Sequence, residues 1–359
     1  DFHRNFIVGS KKIAQGTTTN VYEGTMKRKS KTGGRYAIKK VGGWQLRKLQ
    51  KEGMTREMRI LKVLKHPNIV KVYQLYPTPR AYYMVLEYLG GGELIDRIVR
   101  KESYSEREAR DVCKVLVDAI SHLHENSIVH RDLKPGSILL ANPEGDQGAA
   151  TASTTPPPAN VTTYPPKVTS TTREEIRGNM KVTTTTTTTI TTVVTTVASA
   201  RVSSDSLKIT DFGKARSVSE GPIKSAWVKS EFSAPEMLMR EAHGPPVDMW
   251  SLGLITHILL SGNNPFFHED EQQMFLRVAK GACEFKSEIW KSISREAKGF
   301  VAKLLEVDPE KRMTAQEAKN HAWLHAAGES LGGGDLRGNL EGYKVFDAKR
   351  KLRALMKTV

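Results

Sequence analysis

The pattern of apolar and polar residues predicts a strand-rich N-terminal region. Segments 7–14, 20–26 and 35–41 are strand-like runs bounded by turn-prone residues, with Gly33-Gly34 between the last two. A longer apolar and aromatic run at 82–89 is typical of a buried strand. We therefore expect a small β-rich region at the start of the chain.

Two segments have the pattern of amphipathic helices. The first is predicted at about 46–65, and the second covers 105–125, where Ser105 and Glu108 have the spacing of a capping box. The apolar stripe of the first helix, at spacing i, i+4 and i+7, consists of Met54, Met58 and Leu61. Helices and strands in this arrangement indicate a mixed α and β fold.

One long segment has neither pattern. Residues 145–205 are rich in Thr, Ser, Pro and Ala, and 183–189 are all threonine. Such a composition buries too little apolar surface to order a chain, so we expect a disordered insertion. Within it, 190–197 has strand propensity, and we expect this segment to associate with other chains.

Length and composition limit the class of protein. The 359 residues are 38% apolar, enough for one large domain or two lobes, and no run of 18 apolar residues predicts a membrane span. Cys113 and Cys283 lie far apart and are expected to be buried thiols in a reducing compartment, the cytoplasm or nucleus. The chain starts at Asp1 rather than Met, so an N-terminal targeting signal cannot be assessed.

The net charge of +16 raises the question of a polyanionic partner. No zinc-ligand spacing, RNA-recognition signature or interleaving of aromatic with basic residues accompanies the charge. The basic residues instead concentrate at 27–31, a predicted hairpin, and near the C-terminus. We therefore expect no nucleic-acid partner.

The candidate chemistry lies in two stretches, 128–140 and 207–213. The first contains His-Arg-Asp-x-Lys and the second ends in Asp-Phe-Gly, with acidic residues at Asp132 and Asp211 and a cation at Lys134. In this order the two motifs resemble the catalytic core of a eukaryotic protein kinase. Neither tripeptide alone would be specific.

The resemblance implies an α+β fold with two lobes, a small β-rich N-lobe and a larger helical C-lobe. The expected limits are 1–86 for the N-lobe and 87–324 for the C-lobe, with the insertion 145–205 inside the C-lobe and a linker and basic tail at 325–359.

The resemblance also implies roles for particular residues. Asp132 would accept or orient the proton of the substrate hydroxyl, and Lys134 would neutralise charge on the transferring phosphoryl group. Lys39 would bridge the α- and β-phosphates of ATP while paired with Glu57, and Asp211 would bind Mg²⁺. By the same resemblance, the other nucleotide-contacting residues are Ala14, Gly16, Val21, Ala37, Glu87, Leu89, Glu93 and Leu139.

Glu93 has two interpretations. It resembles the glutamate of calmodulin-dependent kinases that touches the ribose and can attract a basic substrate residue. Its position is equally that of an acidic residue at a helix N-terminus, where it would interact favourably with the helix dipole. The two roles are compatible.

The loop before Val21 departs from the kinase pattern. Counted back from Val21, the three glycine positions of G-x-G-x-x-G-x-V hold Ala14, Gly16 and Thr19, so one glycine remains. A simple hairpin turn and a phosphate-covering loop are both open interpretations of this segment.

The catalytic and activation segments depart as well. Ser137 stands where the family has a metal-binding Asn, and by the resemblance it is expected to be a metal ligand with Asp211, although a hydroxyl is a weaker ligand for a hard cation. Gly136 lacks the carboxylate with which basophilic kinases read arginine. Lys229 replaces an activation-segment Thr, where it is expected to pair with Asp132 and block it, unless Ser230 substitutes for the Thr.

Three other features follow from the resemblance. Asp248 is expected to hold the backbone of the catalytic loop, and Glu236 is expected to pair with Arg312 in a buried bridge. Arg131 next to the catalytic Asp suits capture of a phosphate on the activation segment.

Segment 343–359 resembles the autoinhibitory and calmodulin-binding tail of calmodulin-dependent kinases. It has six basic residues and one acidic residue, with apolar residues that include Phe346 and Leu352. The alternative is an ordinary basic surface helix. The chain contains no calcium-binding loop of the EF-hand type, so calcium would act through a separate protein.

Two functional hypotheses result. The first is a Ser/Thr protein kinase of reduced rate that uses ATP and Mg²⁺ on a protein substrate, supported by the retained Lys39, Glu57, Asp132, Lys134 and Asp211. The second is a pseudokinase, a binding or scaffold protein with weak nucleotide affinity, supported by the departures described above.

Overall fold

A computed structural model describes the backbone of the protein over residues 2–15, 19–27, 34–42, 54–78, 81–101, 104–142, 161–163, 167–177, 180–190, 193–195, 206–224, 231–281, 283–285, 287–326, 331 and 336–356. The chain forms two units, Asp1–Asp146 with Val202–Val359, and Gln147–Arg201. Gly16, Lys229, Ser230 and the first part of the helix predicted at 46–65 lie outside the described residues.

The predicted N-terminal strands are confirmed. In the described residues they pair into a five-stranded antiparallel sheet of order β1-β2-β3-β5-β4. The elements are α1 (Phe2–Asn5), β1 (Phe6–Gln15), β2 (Asn20–Met26), β3 (Arg35–Gly42), α2 (Met54–Val63), β4 (Val72–Pro77) and β5 (Ala81–Glu87).

The two faces of this sheet are covered differently. Helix α2 buries Met58 and Leu61 of its predicted apolar stripe in the main core. On the other face aromatic rings cluster around Phe2, which stacks on Tyr83 with ring centroids 4.0 Å apart and packs on Phe6. Strand β5 corresponds to the apolar run predicted at 82–89. Both of its faces are covered, which explains why it carries so few polar residues.

The C-lobe is helical. Its helices are α3 (Leu94–Arg100), α4 (Glu106–Glu125), α5 (Pro235–Leu238), α6 (Pro246–Ser261), α7 (Glu271–Lys280), α8 (Arg295–Leu304), α9 (Ala315–Lys319), α10 (Ala322–His325) and α11 (Leu340–Met356). The capping box of α4 is confirmed, because Ser105 Oγ accepts from the Glu108 amide and the Glu108 carboxylate accepts from the Ser105 amide. The α+β, two-lobed architecture expected from the sequence is thus confirmed.

Helix α6 is the centre of the C-lobe. Residues 247–261 are all buried, as expected of a helix that is apolar all round. The predicted bridge between Glu236 and Arg312 is present, with guanidinium to carboxylate distances of 2.7 and 3.0 Å. The same guanidinium donates to the carbonyl of Pro246, the first residue of α6, so the bridge also fixes the N-terminus of this helix.

Two short pairs of antiparallel strands carry the catalytic segments. Strand β6 (Ile128–Val129) pairs with β13 (Arg216–Ser217), and β7 (Ile138–Leu140) pairs with β12 (Leu207–Ile209). The catalytic loop lies between β6 and β7, and Asp-Phe-Gly follows β12 directly. Antiparallel pairing therefore brings together segments about 70 residues apart for β7 and β12 and about 90 residues apart for β6 and β13.

The second unit differs from the disorder expected for 145–205. Its described parts are strands β8 (Val161–Thr163), β9 (Lys167–Arg177), β10 (Met180–Ile190) and β11 (Val193–Thr195). β9 pairs with β10 in an antiparallel hairpin, and β11 pairs with β8. Threonine and valine are β-branched and favour strands, a preference that outweighs the low hydrophobicity here. The domain limits drawn from the sequence remain predictions.

The C-terminal segment packs on the C-lobe. A 3₁₀ turn at Leu336–Asn339 leads into α11, and Leu336 and Tyr343 are buried. Asn339 Nδ2 donates to the carbonyl of Leu260 at 2.6 Å, and the hydroxyl of Tyr343 donates to the carbonyl of Leu259. The start of the tail helix is therefore part of the folded C-lobe.

Candidate active site

The predicted pair of Lys39 and Glu57 is formed. Lys39 Nζ lies 2.9 Å from both carboxylate oxygens of Glu57, and both side chains are buried. Burial by itself would lower the pKa of Lys39, but the charges of Glu57 and Asp211 outweigh it, and the pKa is raised. Lys39 is therefore a fixed cation under the sheet, suited to an anionic ligand.

The catalytic loop is held in a strained conformation by α6. Arg131 has φ of 68°, in the left-handed region that costs an L residue about 1–2 kcal/mol. The buried Asp248 carboxylate accepts from the amides of His130 and Arg131, both at 2.8 Å, as predicted. These are the amides of the strained residue Arg131 and of its neighbour His130, so Asp248 stabilises the turn that leads to Asp132.

Both oxygens of Asp132 face lysines. Lys134 Nζ lies 2.8 Å from Oδ2, and Lys214 Nζ lies 3.1 Å from Oδ1. Burial would raise the pKa of Asp132, but Lys134 and then Lys214 outweigh it, and the pKa is lowered. Asp132 is thus an ionised carboxylate, of reduced basicity, at the centre of the site.

Asp211 lies just after β12, the strand that pairs with β7. It has φ of 65° and precedes a 3₁₀ turn at Phe212–Lys214. The buried Phe212 ring packs edge-on against His130 with ring centroids 4.7 Å apart, as expected of packing residues. The charge of Asp211 contributes to raising the pKa of Lys39 and of Lys134. The carboxylate of Asp211 is therefore close enough to both cations to interact with them.

Ser137 bonds to the backbone of the catalytic loop. Its side chain is buried, Oγ donates to the Lys134 carbonyl at 2.8 Å, and it accepts from the Lys134 amide at 3.0 Å. The hydroxyl thus closes the short turn at Pro135–Ser137. The role of Ser137 as a metal ligand stays a prediction, since the hydroxyl oxygen keeps a second lone pair besides the one that accepts from the Lys134 amide.

The N-lobe residues predicted to contact nucleotide lie on neighbouring strands. Ala14 pairs with Val21 in the sheet, Val21 pairs with Lys39, and Ala37 pairs with Leu86. The register therefore places these residues beside Lys39. Gly16, the one glycine kept from the family's loop, lies outside the described residues, and the choice between phosphate cover and plain hairpin stays open there.

The residues expected at the hinge follow β5. The carboxylate of Glu87 is bonded to other residues of the protein. It pairs with Lys208 at 2.9 Å and accepts from the Lys71 amide at 3.1 Å. Leu89 is half-buried, and Leu139 forms a bridge to Glu93 across the cleft floor. The Glu87 amide donates to the Lys71 carbonyl at 2.9 Å, and the contact of Glu87 with the adenine base stays a prediction.

Glu93 is occupied by the tail. Arg350 Nη2 lies 2.6 Å from Glu93 Oε2, and Lys351 Nζ lies 2.6 Å from Asp96 Oδ1 one turn further along α3. Glu93 is at the N-cap position of α3 but makes no side-chain cap bond, so its carboxylate serves the tail. Arg350 also lies beside Gly136, where a Cβ atom would be in ordinary van der Waals contact with Nη1, at 3.4 Å.

Arg131 belongs to a cationic group. Burial first, and then the charges of Arg216 and Arg56, lower its pKa. Arg56 lies 3.8 Å from Glu220, which only partly balances the group. Like charges near one another favour a bound anion, and the capture of a phosphate by Arg131 stays a prediction.

The donor set fits ATP with one magnesium ion. Lys39 and Lys134 supply cations and Asp211 supplies a carboxylate, and Mg²⁺ is ordinarily held by one or two carboxylates with the phosphates. Whether Ser137 adds a ligand for a second ion stays a prediction.

Two site residues, Lys214 and Arg350, are not predicted by the sequence motifs. Lys214 follows Asp-Phe-Gly directly, and its proximity to that motif was the available signal. Arg350 was expected only as one of several basic residues in the tail, and the sequence contained no signal for its docking place. Both contacts join segments far apart in the chain.

Comparison with known proteins agrees with this geometry. The model of the protein kinase domain matches residues 7–152 and 199–324. The chain belongs to the protein kinase family. Its relatives place it in the calcium/calmodulin-dependent kinase group. The chain is 33% identical over 357 residues to calcium/calmodulin-dependent protein kinase type IV of Mus musculus, covering 99% of this chain and 62% of that protein.

Two further relatives cover a larger share of their own length. Myosin light chain kinase A of Dictyostelium discoideum is 33% identical over 313 residues, 87% of this chain and 85% of the relative. Calcium/calmodulin-dependent protein kinase type 1 of Caenorhabditis elegans is 31% identical over 296 residues, 82% of this chain and 68% of the relative. The chain thus spans about three fifths of the type IV kinase and more of the other two.

The family generally uses ATP and Mg²⁺. Within the ranges that the structure describes, no helix has both the length and the apolar character needed to cross a membrane.

Proposed function

We propose that the protein is a Ser/Thr protein kinase that transfers the γ-phosphoryl group of ATP to protein hydroxyls at a reduced rate, in the cytoplasm or nucleus. The observation that supports it most is the formed Lys39–Glu57 pair, with Nζ 2.9 Å from the carboxylate, near the charge of Asp211. This pair is a requirement of the active arrangement in protein kinases.

The chain's own residues have separate parts in this reaction. Lys39 holds phosphate oxygens, and Glu57 keeps that lysine in place and charged. Asp132 orients the acceptor hydroxyl and takes its proton, while Lys134 neutralises charge that develops on the phosphoryl group. Mg²⁺ bound with ATP would supply further neutralisation of the phosphates, and Asp211 is the residue that would hold it.

The direct test is phosphate transfer from labelled ATP to a basic serine peptide. We expect incorporation by the wild-type chain and its loss in Asp132→Asn, which keeps the shape of the side chain but removes the charge. Equal incorporation by the two proteins would refute the proposal, because the signal would then come from a contaminating kinase.

A second candidate function is favoured by Ser137. It replaces the metal-binding Asn of the family with a hydroxyl, a weaker ligand for a hard cation, which supports a pseudokinase that binds weakly to nucleotide and acts as a scaffold or allosteric partner. Nucleotide binding by calorimetry, with Mg²⁺ present, combined with no transfer in the labelled assay would favour this candidate over the first.

We further propose that α11 is autoinhibitory and that calmodulin binds 343–359. Support comes from the ion pairs of Arg350 with Glu93 and Lys351 with Asp96, which place tail cations where a basic substrate would dock. Leu352 is 57% exposed, so an apolar anchor remains accessible on the docked helix. Calmodulin bound to this helix would compete with its contacts to α3.

Calmodulin binding is tested on the full chain by fluorescence titration with and without calcium. Leu352→Asp is expected to weaken calcium-dependent binding at least tenfold, roughly the 1.4 kcal/mol of one buried apolar anchor. The matched control is Val63→Asp, at a residue that is 59% exposed in α2. Equal binding by both variants and the wild type would refute the assignment of the tail.

A further inference from the structure

Lys214 has an unusual place beside the catalytic carboxylate. Its Nζ lies 3.1 Å from Asp132 Oδ1, on the oxygen that Lys134 leaves open. The residue ends the 3₁₀ turn Phe212–Lys214, and its carbonyl accepts from Arg131 Nη1 at 3.1 Å. The backbone of Lys214 is therefore fixed to the catalytic loop, and its position in the site follows from the fold.

The acceptor hydroxyl of a substrate must come close to this lysine. A group that gives its proton to Asp132 has to lie about 3 Å from a carboxylate oxygen. Since Lys214 Nζ is 3.1 Å from Oδ1, its ammonium would stand within about 6 Å of the acceptor oxygen. Side chains of residues flanking the acceptor in an extended peptide reach this distance, because adjacent residues are about 3.4 Å apart.

Lys214 is also able to move. Its side chain is 53% exposed, against 36% for Lys134 and 5% for Asp132, and a lysine stem has four rotatable bonds. An anion on the substrate side can therefore draw the ammonium away from Asp132. That exchange frees Oδ1 for the acceptor hydroxyl without leaving Lys214 unpaired.

The charges around the cleft have opposite signs on α3 and at the Asp-Phe-Gly turn. Glu93 and Asp96 of α3 hold cations of the tail, so they fit basic substrate residues. Lys214, at the acceptor itself, fits the opposite charge. A complementary substrate would therefore combine a basic residue at a distance with an acidic one close to the phosphorylated hydroxyl.

We propose that Lys214 is a specificity-determining residue that selects protein substrates with an acidic side chain within two residues of the acceptor hydroxyl. The inference rests on the proposed kinase function. The acid pairs with the Lys214 ammonium and releases Asp132 Oδ1. For a partly exposed pair of this kind the expected preference is about two- to fivefold.

The test uses the full chain with Arg350→Ala and Lys351→Ala, which removes the tail's ion pairs to α3. Serine peptides with one distant Arg carry Asp or Asn at each of the four positions flanking the serine. Both kcat/KM for labelled phosphate transfer and equilibrium binding by anisotropy are measured. We expect Asp to be preferred over Asn, about two- to fivefold, at one or more positions in both readouts.

Lys214→Met should abolish the preference and Lys214→Arg should keep it. Lys224→Met, an exposed lysine later in the activation segment, is the matched control and should also keep it. No preference at any position, or one that survives Lys214→Met, overturns the inference. If no peptide is phosphorylated, the kinase proposal fails, and the binding readout alone decides the role of Lys214.

Discussion

Removing Arg350 is the sharpest perturbation of the docked tail. Arg350 reaches from α11 to Glu93 at 2.6 Å, and it also pairs with Asp347 one turn earlier. Asp347 keeps a second partner, Lys351, at 2.7 Å, so Arg350→Ala leaves the acid within the helix compensated. The substitution therefore acts mainly on the contact between the tail and α3.

The magnitude follows from the burial of that contact. The side chains of Arg350 and Glu93 are 17% and 29% exposed, so the pair lies between two known cases. An exposed pair contributes about 0.2–1 kcal/mol, and truncating a fully desolvated pair costs about 2–5 kcal/mol. We take about 1.5 kcal/mol, a change of roughly tenfold in the equilibrium between docked and released tail.

The assay is phosphorylation and binding of a peptide with a distant Arg, in the absence of calmodulin. Arg350→Ala is expected to raise kcat/KM and peptide affinity about tenfold, since Glu93 becomes available. The matched control is Lys344→Ala, whose ammonium pairs with Glu341 of the same helix at 3.3 Å. Circular dichroism should show unchanged helix content for both.

Two results would contradict this reasoning. If Arg350→Ala and Lys344→Ala behaved alike, the pair with Glu93 would not hold the tail in place. If Arg350→Ala weakened binding of the basic peptide, Arg350 would be assisting the substrate rather than replacing it.

Three further predictions concern stability and charge. Arg312→Leu should lower the free energy of unfolding in urea by about 3–5 kcal/mol, because Glu236 is left as a buried charge, and a loss below about 1 kcal/mol would contradict this. Burial lowers the pKa of His257 from 6.5 to about 4. Between these two pH values the unfolded chain binds more protons than the folded one. The free energy of unfolding should therefore fall as the pH is lowered through this range, by about 2 kcal/mol at pH 5. A His257→Gln variant with the same pH dependence would refute that assignment. Glu57→Gln should weaken nucleotide binding by Lys39 about tenfold in calorimetry, the loss of a charge-assisted hydrogen bond, and an unchanged affinity would show that the pair is not required.

Much of the fold could be predicted from local pattern. The three N-terminal strands and the capped helix after Ser105 depend on neighbours in sequence, such as the reciprocal bonds of Ser105 and Glu108, and the structure confirms them. Of the strands within 145–205, only β11 lies in a segment, 190–197, for which the sequence indicated strand propensity. Composition argued for disorder there, while the pairing of β9 with β10 is a contact between two segments that are individually unremarkable.

The site divides in the same way. Motif order was enough to predict that Lys39 meets Glu57 and that Asp248 holds the catalytic loop, because those contacts accompany the fold. The motifs gave no sign that Ser137 would bond its own turn, which depends on side-chain torsion rather than residue type. The contact of Lys214 with Asp132 likewise depends on how the turn after Phe212 is directed.

The bonds from Asp248 to the strained turn at Arg131 have a consequence for how the protein responds to heat. The loop that carries Asp132 is hydrogen-bonded to Asp248 of the buried helix α6. We therefore expect the loop to keep its conformation as long as α6 stays folded. Warming should abolish the geometry of the loop and the far-ultraviolet signal of the C-lobe in one transition, with a common midpoint, rather than in two steps.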